Sequence, residues 1–151
     1  MINKENAVIR YMSEYDLAEV CRLEKECFLD PWSENMFLSS KTENKQKILV
    51  LEDLGIIKGY GVIMTVLDEC EILRIAVDSS YRKMGLGSML LDGMMDFAMK
   101  DGARIFYLEV RDSNIPARVL YEKKGFKETG IRKDYYSNPT EDAVLMSYVC
   151  Y

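Results

Sequence analysis

The stretch of the chain with the clearest chemical potential is Ile75-Ala76-Val77-Asp78-Ser79-Ser80-Tyr81-Arg82-Lys83-Met84-Gly85-Leu86-Gly87-Ser88. An apolar run breaks there into a turn and then into helical spacing from Leu86. Gly85 and Gly87 let the backbone turn tightly and leave room for a ligand against it. A helix starting near Leu86 leaves its first amides unpaired at its positive end, and Arg82 and Lys83 add full charges. Together these make a seat for an anion, most naturally phosphate or pyrophosphate; the same residues also suit a plain turn with solvated cations. The spacing is neither Gly-x-Gly-x-x-Gly nor Gly-x-x-x-x-Gly-Lys-Ser/Thr, which excludes the two best-known phosphate loops.

Composition narrows what such a seat could serve. The 151 residues include no histidine, so Ser-His-Asp and Cys-His nucleophile pairs and His-ligated zinc are unavailable. Cys21, Cys27, Cys70 and Cys150 show no Cys-x-x-Cys spacing and read as reduced thiols of a cytoplasmic protein. No metal is expected. Catalysis must come from carboxylates, tyrosines, backbone amides or a bound cofactor. A net charge of −5 disfavours direct nucleic-acid binding and permits a basic substrate. The longest apolar run, Ile48 to Leu51, is far short of the roughly 20 residues a membrane helix needs, and the first residues lack the layout of a secretory signal.

The elements that would position this chemistry follow from apolar spacing. Val8 to Tyr11 reads as a strand; Ser13 to Asp16 resembles a capping box, with Leu17, Val20, Cys21, Glu24, Cys27 and Phe28 at mostly helical spacing behind it. Pro31-Trp32-Ser33 stops that helix and opens a short one carrying Met36 and Phe37. A polar surface loop is expected over Ser39 to Lys47. Strands follow at Lys47 to Glu52, Gly59 to Leu67 and Glu71 to Val77, with turns at Asp53-Leu54-Gly55 and Asp68-Glu69. Leu86 to about Gly102 is a helix, Ile105 to Val110 a strand, and Asn114 and Pro116 open a helix that ends at Gly125. Phe126 to Ile131 and Ala143 to Val149 are two last strands joined by a loop that holds Tyr135 and Tyr136. The order of hairpins and crossover helices makes an α+β, mixed-sheet domain.

Arg82-Lys83-Met84-Gly85-Leu86-Gly87 matches Arg/Gln-x-x-Gly-x-Gly/Ala, the acyl-CoA pyrophosphate loop of the GNAT superfamily of N-acetyltransferases. Leu108-Glu109-Val110-Arg111-Asp112-Ser113-Asn114 and Leu120-Tyr121-Glu122-Lys123-Lys124-Gly125-Phe126 resemble that superfamily's next two signature segments, in order. From Ser13 to Ser147 the resemblance narrows to the RimI family, through Pro31-Trp32-Ser33, Arg74-Ile75-Ala76-Val77 in place of an Asn-Ile-Ala-Val stretch, and Ile131-Arg132-Lys133-Asp134-Tyr135-Tyr136 before Glu141-Asp142-Ala143. The Ser39 to Lys47 segment is not recognisable as a family feature.

The resemblance implies one GNAT domain over 1–151, with a mostly antiparallel sheet of about seven strands flanked by about four helices. It implies acetyl-CoA as co-substrate and, as acceptor, the N-terminal alanine of a small-subunit ribosomal protein, the eighteenth. Glu109 would be the general base for direct amine attack, its neighbours Leu108 and Val110 facing the other side of the strand; a surface glutamate is the other reading. Tyr121 would protonate the leaving thiolate, since a phenol of pKa about 10 stays protonated near neutrality; a packing tyrosine is the alternative. Ile75, Ala76 and Val77 would bind the pantetheine arm as an added strand. Lys83, Met84, Gly85, Leu86, Gly87 and Ser88 would surround the pyrophosphate, and Asn114 would contact the cofactor, cap its helix, or both. Tyr135 and Tyr136 would close over the acceptor peptide, with Trp32 and Met36 as the opposite wall or else in the core. Other protein N-termini, a lysine or a small amine are alternative acceptors, and a non-catalytic acyl-CoA-binding regulator is a further reading. Monomer and weak dimer both remain open.

Overall fold

The computed structural model describes residues 6–42 and 46–150. Its elements run β1 (Ala7–Tyr11), α1 (Leu17–Cys27), α2 (Glu34–Thr42), β2 (Gln46–Asp53), β3 (Ile56–Val66), β4 (Glu69–Val77), α3 (Leu86–Lys100), β5 (Ile105–Arg111), α4 (Ile115–Lys123), β6 (Lys127–Tyr136) and β7 (Glu141–Val149). All seven strands form one sheet in the order β1-β2-β3-β4-β5-β7-β6. Only β4 and β5 pair in parallel, as strands joined by a crossover helix must; the other neighbours are antiparallel.

Two apolar layers sandwich the sheet. On one face α1 and α2 bury Val20, Leu23 and Phe37 against Ile48, Val50, Tyr60, Val62 and Ala76. On the other, α3 and α4 set Leu86, Leu90, Leu91, Met94 and Tyr121 against Leu49, Ile63, Ile72, Phe106, Leu108 and Val110. Helix α3 approaches β3 so closely that a side chain on Gly61 would begin 2.3 Å from Met94 Sδ. The β2–β3 turn places Leu54 and Gly55 both at positive φ, the backbone of a tight two-residue hairpin.

Two expectations need correction. Residues 39–42 of the anticipated polar loop complete α2, and β2 begins at Gln46; residues 43–45 lie outside the described residues. Phe37, fully buried, anchors the helix, and the Ser40 hydroxyl is tied to the Gln46 side chain. Tyr135 and Tyr136 stand not in the hairpin loop but at the end of β6, which ends five residues later than expected. This outer strand is exposed along nearly its whole length, so no alternation of polar and apolar residues marks its extent.

Candidate active site

The ladder between β4 and β5 stops early. Its last pair is Ile72 with Leu108, while β4 continues to Val77 and β5 to Arg111. Leu73 is the extra residue of a bulge where β4 faces β3, between the pairs Val62–Arg74 and Ile63–Ile72. A bulge bends its strand and increases local twist, and here it swings the second half of β4 away from β5. Along that half, the Arg74 and Ala76 carbonyls face Gly61 and Gly59 of β3. Alternation along an antiparallel ladder therefore turns the amides and carbonyls of Ile75 and Val77 outward, to an edge no described strand covers. Ala76, grouped with them from the sequence, spends its carbonyl inside the sheet.

The turn beyond β4 is braced from three sides. Arg22 on α1 reaches Asp78 at 2.8 Å, whose carboxylate accepts from the Ser80 amide. Glu26 accepts from the Ser79 hydroxyl, and the Lys58 ammonium, paired with Asp53 at 2.6 Å, lies 4.6 Å from the Tyr81 ring centre. Lys83 and Gly85 both take positive φ, 64° and 78°, and Gly85 caps α3 without any side-chain acceptor or any acid in the first helical turn. The amides of Leu86, Gly87 and Ser88 thus face an anion-receptive helix end. Lys83 and Met84 are exposed around it. Arg82 is placed differently: its guanidinium donates to the Val77 carbonyl at 3.3 Å and contacts Cys27 Sγ, stapling the turn to the strand end. Gly85 and Ser88 also line an open depression of about 530 Å³ with Asp92 and Asp96; those carboxylates repel phosphate and leave the Lys83 side as the favourable one.

Glu109 is the first residue after the β4–β5 ladder ends. Leu108 and Val110 are buried on the α3/α4 face, and Glu109 projects from the other face, half-buried. It pairs with Leu145 of β7. Arg132 Nε stands 3.7 Å from its carboxylate, and the Glu109 carboxylate raises the nearby Tyr135 phenol above its ordinary range. Tyr135 gets there through a second bulge: Arg132 pairs with Ala143 and Tyr136 with Glu141, leaving surplus residues that turn at Asp134, φ 54°. Tyr136 meets Tyr135 edge to face at 5.1 Å. Burial, then the Glu109 carboxylate, pushes its phenol up to about 12.

Tyr121 lies on α4, 5% exposed, packed on Phe126 with ring centres 5.8 Å apart. Burial first, and the Tyr136 phenol second, hold its hydroxyl well above the usual tyrosine range. Asn114 caps α4, accepting from the Ala117 amide at 3.3 Å, and is otherwise exposed. Trp32 is half-buried, its ring 5.3 Å from Phe37, and it borders a shallow depression of about 310 Å³ with Met36 and Ser40. The structure therefore gathers Glu109, Tyr135 and Tyr136 into one electrostatic group, with Tyr121 coupled through Tyr136.

Arginines join the two flanks, and the sequence reading passed over them. Arg111, ending β5, lies 4.4 Å from the Tyr136 ring centre, donates to the Ser137 and Pro139 carbonyls at 3.0 and 3.1 Å, and faces Asp30 at 3.9 Å. Arg74 lies 4.3 Å from the Phe28 ring centre and 5.0 Å from that of Trp32. The segment before α2 and the β6–β7 hairpin thus converge across the mouth of the parted strands. Tyr-Tyr after Arg-Lys-Asp was a visible signal for one flank; Arg74 in place of the family's asparagine was one for the other.

Comparison with known proteins agrees with this geometry. Residues 17–126 match the profile of the acetyltransferase (GNAT) family. The [ribosomal protein bS18]-alanine N-acetyltransferase of Escherichia coli (strain K12) is 37% identical over 134 residues, 87% of this chain and 90% of that protein. The enzyme of the same name from Haemophilus influenzae is 37% identical over 149 residues, covering 96% and 99%. The crystal structure of the ribosomal-protein-S18-alanine N-acetyltransferase from Escherichia coli superposes with a TM-score of 0.87 at 34% identity, covering 96% of this chain and 95% of that one. An uncovered strand edge, an uncapped helix end and a carboxylate at the parting of two strands are what a thioester nucleotide and an amine require, and the chain belongs to the acetyltransferase (GNAT) family, in its RimI branch of acetyl-CoA-dependent N-acetyltransferases.

Proposed function

We propose that this enzyme acetylates the N-terminal alanine of ribosomal protein bS18, in the cytoplasm, as one GNAT domain acting on a protein and not on nucleic acid or membrane. The observation that carries the reading is the position of Glu109: one residue past the last β4–β5 pair, on the open face, with the Arg132 guanidinium 3.7 Å away. The likeness in sequence to enzymes of that name supports the choice of acceptor.

Acetyl-CoA supplies the electrophile, a thioester carbonyl. The outward groups of Ile75 and Val77 hold its pantetheine arm, and the amides from Gly85 to Ser88, with Lys83, hold its pyrophosphate; Asn114 adds a contact near the sulfur while it caps α4. An α-amine of pKa about 7.7–8.0 is largely protonated at neutral pH and cannot attack until it loses that proton. Glu109 takes it, directly or through one water. The nitrogen then bonds to the carbonyl carbon, the carbon–sulfur bond breaks, and Tyr121 gives its hydroxyl proton to the departing sulfur. Burial keeps the phenol protonated until that moment; because a thiolate is a weaker base than the phenolate left behind, the transfer is completed by the second proton that the new amide nitrogen sheds, which returns to Tyr121 through water. Trp32 on one side and Tyr135 and Tyr136 on the other bound the acceptor's first residues.

The test is CoA release with acetyl-CoA and short peptides. Peptides beginning Ala-Arg should turn over faster than those beginning Ser or Met, and peptides with only an internal lysine should not react. Turnover confined to polyamines would overturn the assignment.

A further inference from the structure

Helix α1 buries a carboxylate to which the reaction above gives no task. Glu24 has no solvent exposure. One of its oxygens accepts from the Tyr60 hydroxyl of β3; the other accepts from the Trp32 amide at 2.7 Å and lies 3.4 Å from Arg74 Nε of β4. Arg74 in turn rests on the Phe28 and Trp32 rings and donates to the Asp30 carbonyl at 3.3 Å. These contacts converge on residues 28–32, a stretch with neither helix nor strand to fix it. Burying an ion is costly, and a well-packed apolar side chain would fill the same space more cheaply. A carboxylate there does what a leucine could not: it gives the Trp32 amide and the Arg74 guanidinium a single fixed point.

We propose that Glu24 and Arg74 are positioning residues for the acceptor, holding residues 28–32 at the height where Trp32 bounds the slot opposite Tyr135 and Tyr136. This rests on the function proposed above and adds to it the device that sets acceptor affinity. Helix α1 performs the two tasks on separate residues. Arg22 and Glu26 brace the turn ahead of the pyrophosphate seat, and Glu24 braces the acceptor wall, so perturbing Glu24 should leave acetyl-CoA binding alone.

Trp32 is the chain's single tryptophan, so its fluorescence reports the wall without any substrate. The variants are Glu24→Leu, Arg74→Gln and Glu24→Gln. In Arg74→Gln and Glu24→Leu, acrylamide quenching of Trp32 should rise by about twofold or more. The acceptor KM should rise roughly tenfold, while kcat and the acetyl-CoA KM stay within about twofold, the pattern of lost acceptor binding alone. Glu24→Gln keeps an oxygen for the Trp32 amide and should fall between these and the wild type; it also serves if Glu24→Leu does not fold. Unchanged quenching and acceptor KM in the folded variants would overturn the proposal, as would equal rises in both KM values. If the wild-type enzyme acetylates no N-terminal peptide, the function is wrong instead, and the quenching comparison still decides whether Glu24 and Arg74 hold the wall.

Discussion

Replacing Gly87 with alanine should raise stability and leave cofactor affinity within about twofold, since the pattern Arg/Gln-x-x-Gly-x-Gly/Ala takes either residue here, whereas Gly87→Val should weaken acetyl-CoA binding. Gly87 is the second residue of α3, and a methyl there meets nothing nearer than Leu120 Cδ2 at 3.4 Å, the edge of ordinary contact. Alanine in a helix is favoured over glycine by about 0.5–1 kcal/mol. Near the helix start the lower figure applies, and in a chain of this length about 0.5 kcal/mol raises Tm by roughly 1–2 °C. If the pyrophosphate rests on the Gly87 amide, a methyl is tolerated beside it, but the branched side chain of Gly87→Val stands against the phosphate. A tenfold loss of affinity is about 1.4 kcal/mol. Ligand at a hundred times Kd stabilises the wild type by about 2.7 kcal/mol, so about half of the thermal shift produced by acetyl-CoA would disappear. Thermal unfolding with and without acetyl-CoA, together with calorimetric titration, measures both quantities. A Gly87→Val variant that binds acetyl-CoA as tightly as wild type would refute the pyrophosphate seat at this amide. An alanine variant less stable without ligand would show that contact with Leu120 outweighs the helix term.

Three further outcomes follow from the site and its supports. Glu109→Gln should lower kcat by about 10²–10⁴-fold, most at lower pH where more of the amine carries its proton; near-wild-type rates across a pH series would remove its role as base. Tyr121→Phe should slow thiol departure by about 10²–10⁴-fold, and because burial raises this phenol, the wild-type pH profile should show no Tyr121 limb at or below pH 10. Hydrogen bonds from Arg10 hold the Asp16 carboxyl below its usual range. Its contribution is therefore full above the unfolded pKa of about 3.9 and is lost as pH falls through the lower folded value. Asp16→Ala should cost about 1–3 kcal/mol at neutral pH, by leaving the Ser13 amide without its acceptor and Arg10 with Glu52 as its one described carboxylate partner; denaturant unfolding at pH 7 and in strong acid should show the gap narrowing.

Most of the element order was legible because glycine, proline and apolar spacing mark it directly: Gly85 before α3, Pro116 within the first turn of α4, Gly125 after it, Leu-Gly between β2 and β3. The turn proposed to hold pyrophosphate was legible as a turn for the same reason, its residues being consecutive. What escaped was set by pairing between distant segments. The bulge at Leu73, which parts β4 from β5, lies between Ile72 and Arg74, where neither glycine nor proline marks it. The second bulge, which brings Tyr135 to Glu109, lies in a strand exposed nearly throughout. Glu24 stood in view on the apolar stripe of α1, between Val20 and Cys27. A polar residue on such a stripe is the one signal that pointed to a buried network, and its partners Tyr60, Trp32 and Arg74 come from three other segments.

The place of β7 between β5 and β6 has a consequence for how the chain is made. Folding during synthesis proceeds from the N-terminal side, and β1 to β4 with α3 can assemble as their residues emerge. The strand bearing Glu109 then has only the four-residue parallel ladder to β4 on one side, and its other edge stays open until residues 141–149, made after every other described strand, slide in. A premature stop near residue 140 would therefore remove an interior slat and leave two unpaired edges, on β5 and β6, as invitations to aggregate. In this architecture the last of the seven described strands to be made is the one that closes the half of the sheet bearing Glu109.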